Sequence, residues 1–217
     1  MTLSLIYDRT AADVQRMKQL AAIGWQNMTA AEKTAWLIGE SLEVLMASDG
    51  ELRDSGNQPI QVIGSNPMVK GAYNYTDLNR VESAVAYLVN YVNDLLTDLA
   101  DYEDLKNVAP DELFELGYSA ISLTTKTDWA ENDLFSAAQG ERYLNNIIAL
   151  SNLIALDGAS PLPDSMGALT YEGANAIEKL LALLETQSLA LFDSKCLLVE
   201  NAAKGFIYSA EVYAGEV

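Results

Sequence analysis

Seven apolar residues between positions 78 and 99 constrain the fold of this chain more than any other feature. They fall at alternating steps of three and four: Leu78, Val81, Val85, Leu88, Val92, Leu95 and Leu99. Sustained over three heptads, this spacing predicts a long helix that packs at a shallow angle against partner helices. The partners are either helices of the same chain, in an intramolecular bundle, or helices of other copies, in an oligomeric stalk.

Capping signals predict further helices on both sides of this seam. A Ser or Thr followed three residues later by an acid or amide caps free N–H groups at a helix start. Three of the pairs that fit this pattern are predicted to start helices: Thr10 with Asp13, Thr29 with Glu32 and Ser136 with Gln139. A last long helix is indicated by the apolar spacing of Ile177, Leu181, Leu184 and Leu191.

Three segments read as strands instead. They are "LSLIY" at residues 3–7, the alternating stretch at residues 119–126, and the terminal "FIYSAEVYAGEV". The predicted fold class is therefore mainly α: a bundle-like arrangement of capped helices with a small β-sheet from the terminal segments and residues 119–126. We expect a helical region over residues 1–109, with a polar loop inserted at 48–66, and a second over 110–217 that ends in a strand. One continuous domain is the alternative.

Composition narrows the classes of function. Thirteen basic against thirty-one acidic residues give a formal charge of −18, which disfavours nucleic acid and anionic membranes as partners. The start of the chain lacks a signal-peptide pattern, and "IIALSNLIAL" is too short to span a bilayer, so we expect synthesis in the cytoplasm. With no histidine and one cysteine, Cys196, we expect no metal and no cofactor, and any catalysis would have to rest on carboxylates. Core packing is favoured over a reactive thiol for Cys196.

A repeated pattern opens two of the predicted helices. The series Tyr75-x3-Asn79-x-Val81-Glu82 matches Tyr171-x3-Asn175-x-Ile177-Glu178, and residues 141–154 follow it more loosely. Helix capping, with Thr76 or Thr170 bonding free N–H groups, accounts for these residue types. A ligand site built from the Tyr, Asn and Glu sets is the alternative.

Five ordered stretches cover most of the chain: "IYDRTAADVQRMKQLAAIGWQNMTAAEKTAWL", "KGAYNYTDLNRVESAVAYL", "TTKTDWAENDLFSAAQGERYLNNI", "ALTYEGANAIEKLL" and "YSAEVYAGEV". In this order they resemble an uncharacterised family of phage and prophage proteins of Gram-positive bacteria, associated with virion structural genes of the tail or fibre region. The resemblance implies a non-enzymatic virion component that assembles with itself or with other virion proteins. About thirty residues between "AWL" and "KGAYNYTDLNR" depart from the family pattern, so loop 48–66 is expected to be an insertion.

Two rival functions remain at this stage. A receptor- or glycan-binding module at the tail tip would use loop 48–66 and Trp129, because aromatic faces stack on sugars. A carboxylate-only hydrolase is the weaker rival. The acids in "TDWAENDL" and "DYEDLKN" are better explained as surface residues than as a calcium loop or a catalytic pair, since they lack the ligand series and the facing geometry of those sites.

Overall fold

The structure is a computed structural model that describes residues 3–33, 71–105, 111–130 and 132–214. In the last helix, side chains are described up to residue 204. Loop 48–66 lies outside the described residues.

Within these ranges, four helices form the frame: α1 (Ala11–Ile23), α2 (Tyr75–Ala100), α3 (Ala137–Ser151) and α4 (Tyr171–Ala214). Residues 30–33 add a helical turn, and short 3₁₀ turns lie at Trp25–Asn27, Tyr102–Leu105, Asp111–Phe114 and Met166–Ala168. The mainly α prediction is confirmed.

The predicted capping boxes start their helices as expected. The Thr10 and Ser136 hydroxyls accept from the N–H groups of Asp13 and Gln139, whose side chains bond back to the cap residues. Thr29 and Glu32 form the same reciprocal pair.

The cap of α2 differs from the prediction. Asn74, and not Thr76, caps this helix: its side chain accepts from the Thr76 N–H at 2.8 Å, and Asp77 completes the box. An asparagine before the helix is a better cap than a threonine inside its first turn, because only the former has the extended backbone that aims its oxygen at the free N–H groups.

Helices α2, α3 and α4 enclose the main core. All seven seam residues of α2 are between 0 and 7% exposed. Four of them, from Leu78 to Leu88, pack with Ile147 and Leu150 of α3 and with Ile177, Leu181 and Leu184 of α4, and Leu95 and Leu99 lie in a smaller cluster. The seam is therefore buried within one chain, which confirms the bundle interpretation and makes the stalk interpretation of this helix wrong.

The predicted β-sheet is not present in the described part of the chain. Residues 3–7 and 119–126 are extended but form no strand, and the terminal segment is helical as far as Ala214, as part of α4. Its β-branched and aromatic residues favour a strand only weakly, and Gly205 alone does not end a helix. The extended segments bond to helix side chains, as described below. None of the helices in the described ranges is long and apolar enough to cross a membrane.

Shortening one buried seam residue should show whether the seam of α2 forms a core within the chain or a stripe on its surface. Leu88→Ala should lower the free energy of unfolding by about 2–5 kcal/mol, because it leaves a cavity in a close-packed core. Leu197→Ala, at an exposed helical site, should change it by less than about 0.5 kcal/mol. Urea denaturation followed by circular dichroism measures both, and equal small effects would contradict the intrachain core.

Candidate functional site

Two extended segments of the chain repeat each other. We call residues 3–10 the N-terminal arm and residues 123–130 the middle arm. Their side chains follow the same order of exposed, half-buried and buried positions, residue by residue. The two stretches also share Leu3 with Leu123 and Asp8 with Asp128 at a constant spacing. The arms are thus two instances of one structural element.

An asparagine on a long helix pairs with the backbone of each arm. The Asn79 side chain of α2 accepts from the Trp129 N–H at 2.7 Å and donates to the Trp129 carbonyl at 2.8 Å. Asn175 of α4 does the same for Arg9, at 3.0 Å and 2.8 Å. Each side-chain amide pairs with both the backbone N–H and the backbone C=O of one arm residue, as a neighbouring strand would in a sheet.

A glutamate one helical turn later holds a second residue of each arm. Glu82 accepts from the Lys126 N–H at 2.9 Å, and Glu178 accepts from the Ile6 N–H at 2.6 Å. Residues three apart share one helix face, so each Asn and Glu act together on one arm. We call Asn79 with Glu82 the α2 clamp, and Asn175 with Glu178 the α4 clamp.

The buried side chain of each arm also donates to its clamp. Arg9 is 4% exposed, and its Nη2 lies 2.8 Å from both Glu178 Oε1 and Asp77 Oδ1. Trp129 is 3% exposed, with Nε1 at 3.4 Å from Glu82 Oε1. The two arms therefore use chemically different side chains for the same task.

Charge is balanced around the α4 clamp. Arg80 donates to Glu178 at 2.9 and 2.8 Å and also contacts Asp77, so two guanidinium groups face two carboxylates. Burial alone would lower the pKa of Arg80, but hydrogen bonds and charge from Glu178 and Asp77 raise it above its ordinary value. Removing one partner would leave an uncompensated buried charge, which typically costs about 3–5 kcal/mol.

At the α2 clamp, Arg142 of α3 supplies the counter-charge. Its Nη1 donates to Glu82 Oε2 at 2.9 Å and to the Thr124 carbonyl at 2.8 Å. The hydrogen bond to Glu82 raises the pKa of Arg142, although burial opposes the shift. Asn146 also donates to the Thr124 carbonyl. Arm, α2 and α3 are thereby joined at one point.

A tyrosine pair closes the space beside the α4 clamp. The Tyr73 and Tyr143 hydroxyls are hydrogen-bonded, and the Arg9 guanidinium lies 5.5 Å from the Tyr73 ring centre. Burial raises the pKa of both phenols, and the charge of Glu178 raises that of Tyr73 further. Both hydroxyls therefore stay protonated, as donors and acceptors within the core.

The clamps connect the two halves of the chain reciprocally. The N-terminal arm precedes α1 and α2 but lies on α4, while the middle arm precedes α3 and α4 but lies on α2. Equivalent contacts made in both directions are the signature of a two-fold dimer interface. The chain thus has the internal organisation of a dimer of two similar halves that exchange arms.

The capping interpretation of this repeat is confirmed at Thr170, whose hydroxyl accepts from the Gly173 N–H at 3.2 Å at the start of α4, but it does not account for the Asn and Glu residues. Asn79, Glu82, Asn175 and Glu178 neither cap helices nor remain open to a ligand in the described structure, because the chain's own arms occupy them. The signal that was missed is the second repeat, between residues 3–13 and 123–133. Only the pair of repeats shows what the helix residues hold.

The burial of Trp129 corrects its predicted role as a glycan contact, because the ring is covered and cannot stack on a sugar. Its acidic neighbours have a local function. Lys126 Nζ lies 2.7 Å from Asp128 and 3.2 Å from Asp133. Hydrogen bonding to Lys126 lowers the pKa of Asp128. The pKa of Asp133 is lowered first by the Ala130 N–H and then by Lys126.

The structure places the remaining predicted features as follows. Asp101 ends α2, and part of "DYEDLKN" lies outside the described residues. Cys196 is buried in the cluster with Leu95 and Leu99, where it packs as predicted. No group of three potential metal ligands occurs among the residues that the structure describes.

Neither a scan of family models nor searches of curated proteins and of solved structures found a match to this chain.

A substitution that keeps the shape of Asn79 but replaces its N–H donor by a charged oxygen should test one clamp directly. In Asn79→Asp the carboxylate can still accept from the Trp129 N–H, but it has no donor for the Trp129 carbonyl. The unmet carbonyl and the repulsion should cost about 1–3 kcal/mol of unfolding free energy. Asn90→Asp, at an exposed site of the same helix, is the matched control and should change little. Equal effects of both substitutions on the urea midpoint would mean that Asn79 is not a clamp.

Proposed function

We propose that this chain is a structural component of a bacteriophage virion, in the tail, fibre or baseplate, made in the host cytoplasm and acting by assembly. The five ordered stretches that resemble a phage family support this assignment. The structural observation that supports this proposal most is the role of the four polar residues of the clamps. Asn79, Glu82, Asn175 and Glu178 all hold the chain's own backbone, which is the work of a scaffold.

The buried carboxylates support a role without catalysis. Asp77 and Glu178 are ion-paired with Arg9 and Arg80, and Glu82 is ion-paired with Arg142. A general acid or base needs a proton that it can exchange with a substrate, and these groups are committed to fixed cationic partners. This arrangement disfavours the hydrolase alternative.

Exposed leucines on α4 offer a surface for assembly. Leu189, Leu197 and Leu198 are 44, 58 and 48% exposed. Covering apolar surface contributes roughly 25 cal/mol per Å², so even a few such side chains add to a protein–protein contact. The formal charge of −18 does not prevent close packing, since exposed charges are screened beyond about 8 Å at physiological salt.

Charged substitutions on this surface should test the proposal. In purified phage particles, the double variant Leu197→Glu with Leu198→Glu should be incorporated at least about tenfold less than the natural chain, because a buried unpaired charge costs well over 1.4 kcal/mol. Leu134→Glu, at a site 82% exposed before α3, is the control and should be incorporated normally. Circular dichroism should show equal helicity in all three proteins.

Two results would contradict this account. Absence of the natural chain from purified particles would overturn the virion assignment. Normal incorporation of the double variant would show that assembly does not use the α4 leucines.

A groove favours receptor or glycan binding at the tail tip as the second candidate function. It has a volume of about 730 Å³ and lies beside α3, where Phe135 provides an aromatic ring and Glu141, Asn145 and Asp164 provide polar groups. Aromatic faces with nearby carboxylates and amides suit sugars. A glycan array separates the two functions: specific binding that Asn145→Ala abolishes would favour the receptor binder, and an array without signal would favour the scaffold.

A further inference from the structure

The N-terminal arm belongs to a part of the chain that has a small apolar cluster of its own. Behind the arm, Leu20, Ile23 and Met28 form an apolar cluster separate from the main core. Leu3 and Leu5 of this part pack against the main cluster, and α1 lies close to the backbone of Gly71. Removal of the arm from the α4 clamp would uncover these contacts and the ion pairs of Arg9, while the apolar contacts of α2 with α3 and α4 are made by other residues.

The hydrogen bonds between the arm and the α4 clamp are made by residues 6–9. Ile6 and Arg9 bond through their backbones to Glu178 and Asn175, and the Arg9 side chain bonds to Glu178 and Asp77. Each bond joins the arm to a partner far away in sequence. The same bonds would form equally well if the clamp belonged to another molecule.

The covalent connection permits such an exchange. Residues 34–70 lie between this part and α2, and any chain of that length can reach up to about 120 Å. The exchange is also already realised inside the molecule, where each half places its arm on the helix of the other half. Docking in a second copy would repeat an arrangement that this fold uses twice.

We propose that the N-terminal arm is an exchangeable docking element, and that the α4 clamp of one copy binds the arm of a second copy in the assembled state. The proposal rests on the proposed function, since a virion component is held beside other copies of itself. Docking of an arm in its own molecule does not depend on the concentration of the protein, whereas docking in a second copy becomes more favourable as that concentration rises. Dilute chains therefore keep their arms, and exchange competes when copies are packed together.

Complementation between two full-length variants tests arm exchange. Arg9→Glu disables the arm, because it places a third carboxylate against Asp77 and Glu178. Asn175→Leu disables the clamp, because it removes both bonds to the Arg9 backbone. The intact arm of the second variant should then dock in the intact clamp of the first. Native mass spectrometry at micromolar concentration should detect a 1:1 complex that neither variant forms alone.

The matched control combines both changes in one chain, and it should form no complex with Arg9→Glu. If both single variants are helical and their mixture stays monomeric, the proposal is overturned. The virion assignment is not touched by that result, because it depends on the presence of the chain in particles.

A second experiment uses a spin label in place of these two substitutions, in case either variant does not fold. A spin label is attached to Tyr7→Cys in a Cys196→Ser background, since Tyr7 is exposed. This chain is unfolded and refolded at about millimolar concentration with an equal amount of ¹⁵N-labelled natural chain, where exchange should compete with closure. Broadening of the ¹⁵N signals around Asn175 supports exchange between copies. Unchanged signals there overturn it.

Discussion

Everything else in this fold depends on two buried glutamates, Glu82 and Glu178. Each lies almost without solvent on a long helix, and each accepts hydrogen bonds from an arm backbone and from an arginine. A buried carboxylate without such partners would be strongly unfavourable, so the helices and arms must meet in one register. An asparagine one turn earlier fixes the arm at a second point. Hydrophobic packing draws the helices together, and these polar contacts specify the register in which helices and arms meet.

The reciprocal clamps explain how the two arms are held without a sheet in the part of the chain that the structure describes. An extended segment needs partners for its N–H and C=O groups, and a sheet is the common source. Here side-chain amides supply them, and the device recurs outside the clamps: Asn93 pairs with both polar groups of Ile121, and Gln187 with both of Asp157. Side-chain amides on helices thus do for these segments what a neighbouring strand does in a sheet.

Local sequence signals predicted the helical frame because helix periodicity and capping act over a few residues. The seam from Leu78 to Leu99 and the box at Thr10 needed no knowledge of distant partners. The strands were wrong for the opposite reason: "LSLIY" has the propensity of a strand, but what it pairs with is decided by Glu178, more than 170 residues away. Trp129 was misjudged similarly, because its aromatic character is visible in the sequence while its burial against Glu82 is not.

Hydrogen exchange of the arm amides tests the central claim most directly. Clamped arms protect amides three residues apart, whereas an edge strand in a sheet protects amides two apart. The account predicts slow exchange at four positions: Ile6, Arg9, Lys126 and Trp129. The exposed residues between them, Tyr7 and Thr127, should exchange much faster. Equal exchange along both arms, or protection at every second residue, would contradict the clamps.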